Sequence, residues 1–194
     1  MKKTVLASIL ALSFTGAAQA GMYSEFQPEH QLDFSYAHFD ADVDGEGDDS
    51  ADGAFIEYKF DHRKSDYGLV LGVDSFGLDG FDTINSRLGL TYTYTVDVTN
   101  VDIVPELGLF HVDLDDEQET SYYYGLGVST DLIPKTLYGK AYFRKYDLED
   151  DSVWGDDEIG VQLSYMIDKY TSLEFGIKDT GILTRYTMGV GFRF

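Results

Sequence analysis

The chain has 194 residues, a formal net charge of −21, no cysteine, 15 tyrosines and 13 phenylalanines. A chain this acidic is not expected to bind nucleic acid, because phosphates attract Lys and Arg and repel carboxylates. The absence of cysteine excludes disulfides, thiol catalysis and thiolate metal sites.

Residues 1–20 have the three parts of a secretory signal peptide: two lysines near the start, an apolar stretch at 4–14 and Ala-Gln-Ala at 18–20. The apolar stretch is shorter than the ~20 residues that a membrane helix needs. We therefore expect Sec-type export and cleavage near Ala20. The mature domain would be 21–194, and its net charge would change from −21 to −23 because the removed segment carries two lysines and no acid.

Apolar and polar residues alternate along most of the remaining chain, which is typical of strands with two different faces. Leu88, Leu90 and Tyr92, for example, alternate with Arg87 and Gly89. The same pattern predicts ten strands, at about residues 30–39, 53–61, 67–76, 83–97, 101–112, 120–130, 136–146, 158–166, 170–178 and 183–194.

The connections between the predicted strands are of two kinds. Those after odd-numbered strands are mostly acidic, whereas those after even-numbered strands are short and mixed in charge. Outer-membrane barrels have longer loops outside and short turns in the periplasm. We therefore predict an all-β fold, a closed antiparallel transmembrane β-barrel of about ten strands with its N-terminus at the periplasmic side. Eight strands would result if one hairpin were an extension.

Aromatic residues concentrate at the predicted strand ends. A periplasmic group consists of Tyr58, Phe60, Tyr67, Tyr92, Tyr94, Tyr165, Tyr170, Phe192 and Phe194, and an outer group of Phe39, Tyr122, Tyr124, Phe143 and Tyr186. Girdles of aromatic residues mark the two boundaries of a membrane. They favour a membrane barrel over a soluble sandwich or lipocalin-like barrel, whose strands also alternate.

The last predicted strand presents one apolar face, formed by Tyr186, Met188, Val190, Phe192 and Phe194. This pattern resembles the C-terminal strand of bacterial outer-membrane β-barrel proteins and implies insertion by the barrel assembly machinery. The architecture is similar to that of small OmpA-like and OmpX-like barrels of Gram-negative bacteria. The size of the chain and the layout of 132–194 also resemble the YfaZ-precursor family.

The polar face of the predicted strands carries charges of both signs. The expected lumen charges are Glu57, Lys59, Arg87, Glu106, Lys140, Arg144, Glu158, Glu174 and Arg185. Charges inside a narrow barrel must pair, because an uncompensated buried charge is costly. We expect the Arg and Lys side chains to form salt bridges with the Glu side chains and to fill the lumen. The alternative is a narrow charged pore for small solutes.

The first predicted loop has acidic residues at alternate positions and matches the D-x-D-x-D-G opening of a calcium loop. Its candidate Ca²⁺ ligands are Asp40, Asp42, Asp44, Glu46 and Asp48. The twelfth position is Ala51, where an EF-hand has Glu, and no flanking helices are predicted. An EF-hand is therefore disfavoured, and the choice is between a calcium site at the membrane surface and a solvated acidic loop. No other cofactor is expected.

No catalytic site is expected. His111 and Asp113 lie near the predicted outer rim, where omptin-like proteases use Asp and His, but the paired motifs of those proteins are missing. We expect a monomeric, non-enzymatic barrel with a role in envelope structure or surface interaction. Its acidic loops would contact outer-membrane lipid and lipopolysaccharide, sharing divalent cations with the latter. A narrow pore is the first alternative and a rim hydrolase the second.

Overall fold

The computed structural model describes residues 30–42, 48–61, 66–78, 81–96, 101–114, 117–148, 157–181 and 183–194. Their strands are β1 (His30–Asp42), β2 (Asp48–Asp61), β3 (Tyr67–Leu78), β4 (Phe81–Tyr92), β5 (Tyr94–Val96), β6 (Val101–Leu114), β7 (Glu117–Ile133), β8 (Leu137–Tyr146), β9 (Asp157–Met166), β10 (Thr171–Asp179) and β11 (Leu183–Arg193). Within these ranges, no helix is long and apolar enough to cross a membrane.

The strands form one closed antiparallel barrel. Consecutive strands pair along the chain, and β1 pairs with β11 over Gln31–Ala41 and Leu183–Arg193 to close the circle. β4 and β5 are separated only at Thr93, and both pair with β6, so they act as one wall strand. The barrel therefore has ten wall strands. The predicted fold class and strand number are confirmed, and the eight-strand alternative is not.

The two faces of each strand differ in the way that the alternation predicts. On β2, Glu57 is 6% exposed and points into the lumen, whereas its neighbour Ile56 is 44% exposed on the outer surface. Large apolar side chains are exposed outside on almost every strand, among them Leu71, Leu107 and Met188. An apolar exterior around a polar interior is the arrangement of a transmembrane barrel, because lipid replaces water as the solvent of the outer face.

The barrel has two distinct ends. At the terminal end, His30 and Phe194 exchange backbone hydrogen bonds of 3.1 and 3.0 Å. At the opposite end, called the loop end here, β1 and β2 continue beyond the predicted boundaries as far as the Asp42–Asp48 pair. The sequence places these residues in a loop because their apolar alternation stops. Backbone hydrogen bonds, however, need no apolar side chains, and so the ladder continues.

Phe39 lies in the lumen, which corrects its predicted place in the outer girdle. It is 1% exposed and stacks on Phe76 with 4.2 Å between the ring centroids. On β1, Phe39 has the same parity as the inward-facing Asp33 and Ala37. Its position near a strand end suggested the girdle, but the period of two decides the side of the wall on which a residue lies.

Candidate functional site

A chain of alternating charges crosses the middle of the lumen. Lys59 on β2 lies 3.2 Å from Asp33 and 2.8 Å from Glu57. Glu57 pairs with Arg87 on β4, and the Nε of Arg87 is 3.8 Å from Glu106 on β6. Adjacent members of this chain carry opposite charges, so the cost of burying each charge is offset by its neighbours.

Arg144 on β8 continues this row of alternating charges toward β9. Its Nε and Nη2 donate to Oε2 of Glu106 at 3.2 and 3.0 Å, and its Nη1 donates to Glu158 at 2.7 Å. All three side chains are less than a tenth exposed. A guanidinium group suits this position, because its planar set of donors reaches two carboxylates at once.

Two glycines make room for a tyrosine that donates a hydrogen bond to Glu106, a member of this row of charges. Gly89 and Gly108 are paired across β4 and β6, and the ring of Tyr123 packs over them. An added Cβ on Gly108 would lie 2.7 Å from the Tyr123 ring, too close for two carbon atoms. The missing side chains let the Tyr123 hydroxyl donate to Oε1 of Glu106 at 2.6 Å.

All nine predicted lumen charges lie on the inner face, but the pairing differs from the expected one. Glu174 accepts hydrogen bonds from Ser164, from Ser172 at 2.5 Å and from Gln162 at 3.1 Å. Within the described chain it has no Lys or Arg within 4.0 Å. Lys140 likewise has no carboxylate oxygen within 4.0 Å there, and its Nζ lies 5.6 Å from the centroid of the Tyr142 ring.

Sequence reasoning missed Asp74, which pairs with Arg185 across the lumen. The signal was present, since Asp74 alternates with Leu71 and Val73 on β3 and shares the parity of the inward Gly72. It also missed Asp102 and Asp131, which are 2% and 5% exposed inside the terminal half of the lumen. Both lie near predicted turns, where an acidic residue suggests solvent.

Above the charges, at the loop end, a cluster of apolar side chains occupies the lumen beside the buried polar residues Asn85 and Ser121. This apolar cap consists of Ala37, Phe39, Ala51, Phe76, Phe110, Val112, Tyr123, Tyr146 and Leu183. Its rings are in contact: the Phe110 and Tyr146 centroids are 4.6 Å apart, and those of Tyr123 and Tyr146 are 5.8 Å apart. The cap is absent from the sequence predictions, which expected polar residues throughout the lumen.

The calcium candidate falls largely outside the described residues. Asp44 and Glu46 lie in the part of the chain that is not described, and for Asp42 and Asp48 only the paired backbone is described. Asp40 lies on the outer face of β1, with Oδ1 3.4 Å from Nε2 of His38. Within the described chain, no three His, Asp or Glu side chains form a group suited to a metal ion. The calcium site stays a prediction.

His111 shows no catalytic arrangement in the described chain. Its Nδ1 is 2.8 Å from the Thr120 hydroxyl, whereas Asp113 accepts from Gln118 at 3.2 Å. Both pairs lie on the outer face at the loop end. A general base needs a reacting group within hydrogen-bond reach, and the partners of this histidine and this carboxylate are ordinary cross-strand neighbours.

The outer surface carries the predicted assembly signal. Tyr186, Met188, Phe192 and Phe194 are exposed on the outside of β11, and Val190 is half-buried among them. Phe194 stacks on His30, with 5.5 Å between the ring centroids and 15° between the ring planes. His30 in turn contacts Tyr58 and Phe60, so that an aromatic cluster covers the terminal ends of β1, β2 and β11.

No family model and no curated protein matches the sequence. The resemblance to the YfaZ-precursor family therefore stays a prediction.

Solved structures similar to the chain are small outer-membrane barrels. The KdgM porin in complex with disordered oligogalacturonate is 13% identical over 84% of this chain and 99% of its own, with a TM-score of 0.47. Ail of Yersinia pestis in a nanodisc is 16% identical over 87% and 100%, with a TM-score of 0.46. OprG from Pseudomonas aeruginosa is 12% identical over 87% and 97%, with a TM-score of 0.45. Because these values are low, the fold class rests on this chain's own strand pairing.

Proposed function

We propose that this chain is a non-enzymatic outer-membrane barrel that does not conduct and that serves envelope structure or surface interaction. The observation that carries the proposal is the filling of the lumen by two layers of side chains. Arg87, Glu106 and Arg144 occupy its middle, and the apolar cap occupies its loop end.

The apolar cap is the layer that opposes conduction. Phe39, Phe76 and Phe110 are each at most 4% exposed. An apolar constriction opposes the passage of ions, because an ion would have to lose its hydration shell there, and the buried polar groups beside it, Asn85 and Ser121, are uncharged. The alternating charges below the cap, among them Arg87, Glu106 and Arg144, are held by their neighbours, and so they fill space and stabilise the wall.

The exterior supports an outer-membrane location with the terminal end toward the periplasm. Apolar side chains cover the middle of the outer surface, whereas outward polar pairs lie at the loop end, such as Lys145 with Asp157 at 3.2 Å. Strands that extend beyond the lipid present such pairs to water and to lipid headgroups. This polar rim is the part of the barrel suited to contact with lipopolysaccharide or a surface partner.

Planar-bilayer recording of the refolded protein tests the proposal. We expect no conductance steps from the unmodified chain, and steps from a Phe39→Ala, Phe110→Ala double variant, which opens the apolar cap. Leu109→Ala is the control, since Leu109 is 43% exposed on the outer face beside Phe110. Reproducible steps from the unmodified protein would contradict the proposal.

A narrow pore is the second candidate, and one observation favours it. Two cavities of about 110 and 20 Å³ lie in the lumen below the cap, and both are lined by Lys140 and Gln162. In a pore, this path would continue only if the apolar cap moved aside. The same recording then distinguishes a pore from a filled barrel.

A further inference from the structure

The larger lumen cavity, of about 110 Å³, lies at the terminal end and is lined by both acidic and basic side chains. Asp61 and Asp102 contribute carboxylates, and Lys59, Lys140 and Arg193 contribute cations. A cavity of this size exceeds the space of a single water molecule and can hold a small solute.

Three of its lining residues form a row across neighbouring strands. Asp102 on β6 is paired in register with Ser129 on β7, and Ser129 is paired with Lys140 on β8. Register partners lie on the same face, and strands are ~4.8 Å apart, so the Cα atoms of Asp102 and Lys140 are roughly 10 Å apart. Ser129 therefore lies between an acidic and a basic residue of this row.

Asp102 and Lys140, at the two ends of this row, form no ion pair within 4.0 Å among the described residues, and Glu57 and Glu106, whose charges act on Lys140, are already paired with other cations. Asp102 is 2% exposed and, among the described residues, accepts one hydrogen bond, from the Thr95 hydroxyl at 2.6 Å. Lys140 has no carboxylate oxygen within 4.0 Å in the described chain, and its Nζ lies 5.6 Å from the centroid of the Tyr142 ring. Asp131, two residues after Ser129, adds a second carboxylate, whose buried Oδ1 has no hydrogen-bond partner.

The contrast with the middle of the lumen is informative. There, Glu106 forms an ion pair with Arg144 and accepts a hydrogen bond from Tyr123, and Glu57 forms ion pairs with Lys59 and Arg87. An uncompensated buried charge costs several kcal/mol, roughly. A single ion in the terminal cavity would compensate the charge at one end of the row and leave the charge at the other end uncompensated. A molecule that carries both a positive and a negative charge compensates both ends.

We propose that this cavity binds a small zwitterion. Its ammonium group donates to Asp102, its carboxylate accepts from the ammonium of Lys140, and Ser129 and Gln162 supply hydrogen bonds between them. Asp61 and Asp131 add negative potential on the side of the ligand's ammonium group. The site opens toward the terminal end and does not depend on whether the barrel conducts.

Isothermal titration of the refolded full chain with 4-aminobutyrate, butyrate and butylammonium tests the proposal. We expect 4-aminobutyrate to bind, and each single-charge analogue to bind at least ~10-fold more weakly, because each analogue loses one charge-assisted hydrogen bond. Equal binding of butyrate would overturn the proposal in favour of a simple anion site. Equal binding of butylammonium would do so in favour of a cation site, and no heat with any probe would mean that the cavity holds water only.

Variants locate the site. Asp102→Asn and Lys140→Met should each weaken binding of 4-aminobutyrate at least ~10-fold. Ser129→Val introduces a strand-forming residue that fills the space between the two charges, and it should also abolish binding. This variant provides the test if Asp102→Asn or Lys140→Met fails to fold. The control is Lys145→Met, whose side chain lies on the outer wall. Unchanged binding in folded Asp102→Asn or Ser129→Val protein would overturn the assignment.

Discussion

Arg144 lies between Glu106 and Glu158, with hydrogen-bond distances of 3.0 and 2.7 Å. Replacing it with Met would leave two buried carboxylates without their shared cation. We expect the free energy of unfolding to fall by ~3–5 kcal/mol, the usual cost of removing one partner of a buried ion pair. Urea unfolding of the refolded barrel in lipid measures this loss.

Lys145→Met is the matched control for Arg144→Met. Lys145 is the next residue on β8, but it lies on the outer face and pairs with Asp157, with side chains 40% and 55% exposed. Such exposed pairs contribute about 0–1 kcal/mol. A loss of similar size in both variants would show that the inner pairs do not stabilise the barrel more than surface pairs do.

The inward-facing charges could be predicted one residue at a time, whereas their partners could not. The parity of Arg87 and Glu158 on their strands places both in the lumen. Parity does not reveal that the donors to Glu174 in the described chain are neutral, because two of them, Gln162 and Ser164, lie on the adjacent strand β9. Which donors reach a buried carboxylate depends on the register between neighbouring strands.

At the scale of the element, Gly108 allows β4 and β6 to lie close to each other and the Tyr123 ring to pack against both. We expect Gly108→Ala to lower the free energy of unfolding by ~1–3 kcal/mol, because the added methyl would collide with the Leu88 carbonyl oxygen and the Gly89 Cα. Heat-modifiable mobility in gels and urea unfolding in lipid both report this loss.

Gly72→Ala is the control for Gly108→Ala, since Gly72 also faces the lumen from a strand interior. The nearest atom to its added Cβ would be Nη2 of Arg87 at 3.5 Å, an ordinary contact. We expect little change in stability or a small gain, because alanine restricts the unfolded chain. An equal loss in the two variants would indicate that the cost is general to glycines of this wall.

The β1–β2 hairpin carries the calcium prediction. If its acids bind Ca²⁺, titration of the refolded protein should release or absorb heat, and Asp40→Asn with Asp42→Asn should remove the signal, because each change replaces a charged ligand. Asp113→Asn, on the β6–β7 hairpin, is the control. Absence of heat from the unmodified protein would mean that the loop is only a solvated acidic segment.

At the scale of the whole molecule, β11 closes the barrel against β1 and carries the predicted assembly signal. We expect Phe194→Ser to slow insertion into membranes that contain the assembly machinery several-fold more than insertion into plain lipid vesicles. Tyr165→Ser is the control, since Tyr165 is also an exposed aromatic residue at the terminal end but lies on β9. Equal slowing in both membranes would indicate that Phe194 acts only as an interfacial anchor.

The sequence by itself determined the class of the fold, the wall strands and the side of the wall on which most residues lie. These properties follow from period-two alternation, which neighbouring residues establish without knowledge of the remaining chain. The tertiary structure decided the contacts inside. Arg144 pairs with Glu106, 38 residues away, and Arg185 with Asp74, 111 residues away. Glu106 and Arg144 meet across β7, whereas only closure of the barrel through β1 and β11 brings Asp74 near Arg185. The closed barrel also placed apolar rings at the loop end and left Lys140 and Asp102 without an ion pair among the described residues, beside a cavity.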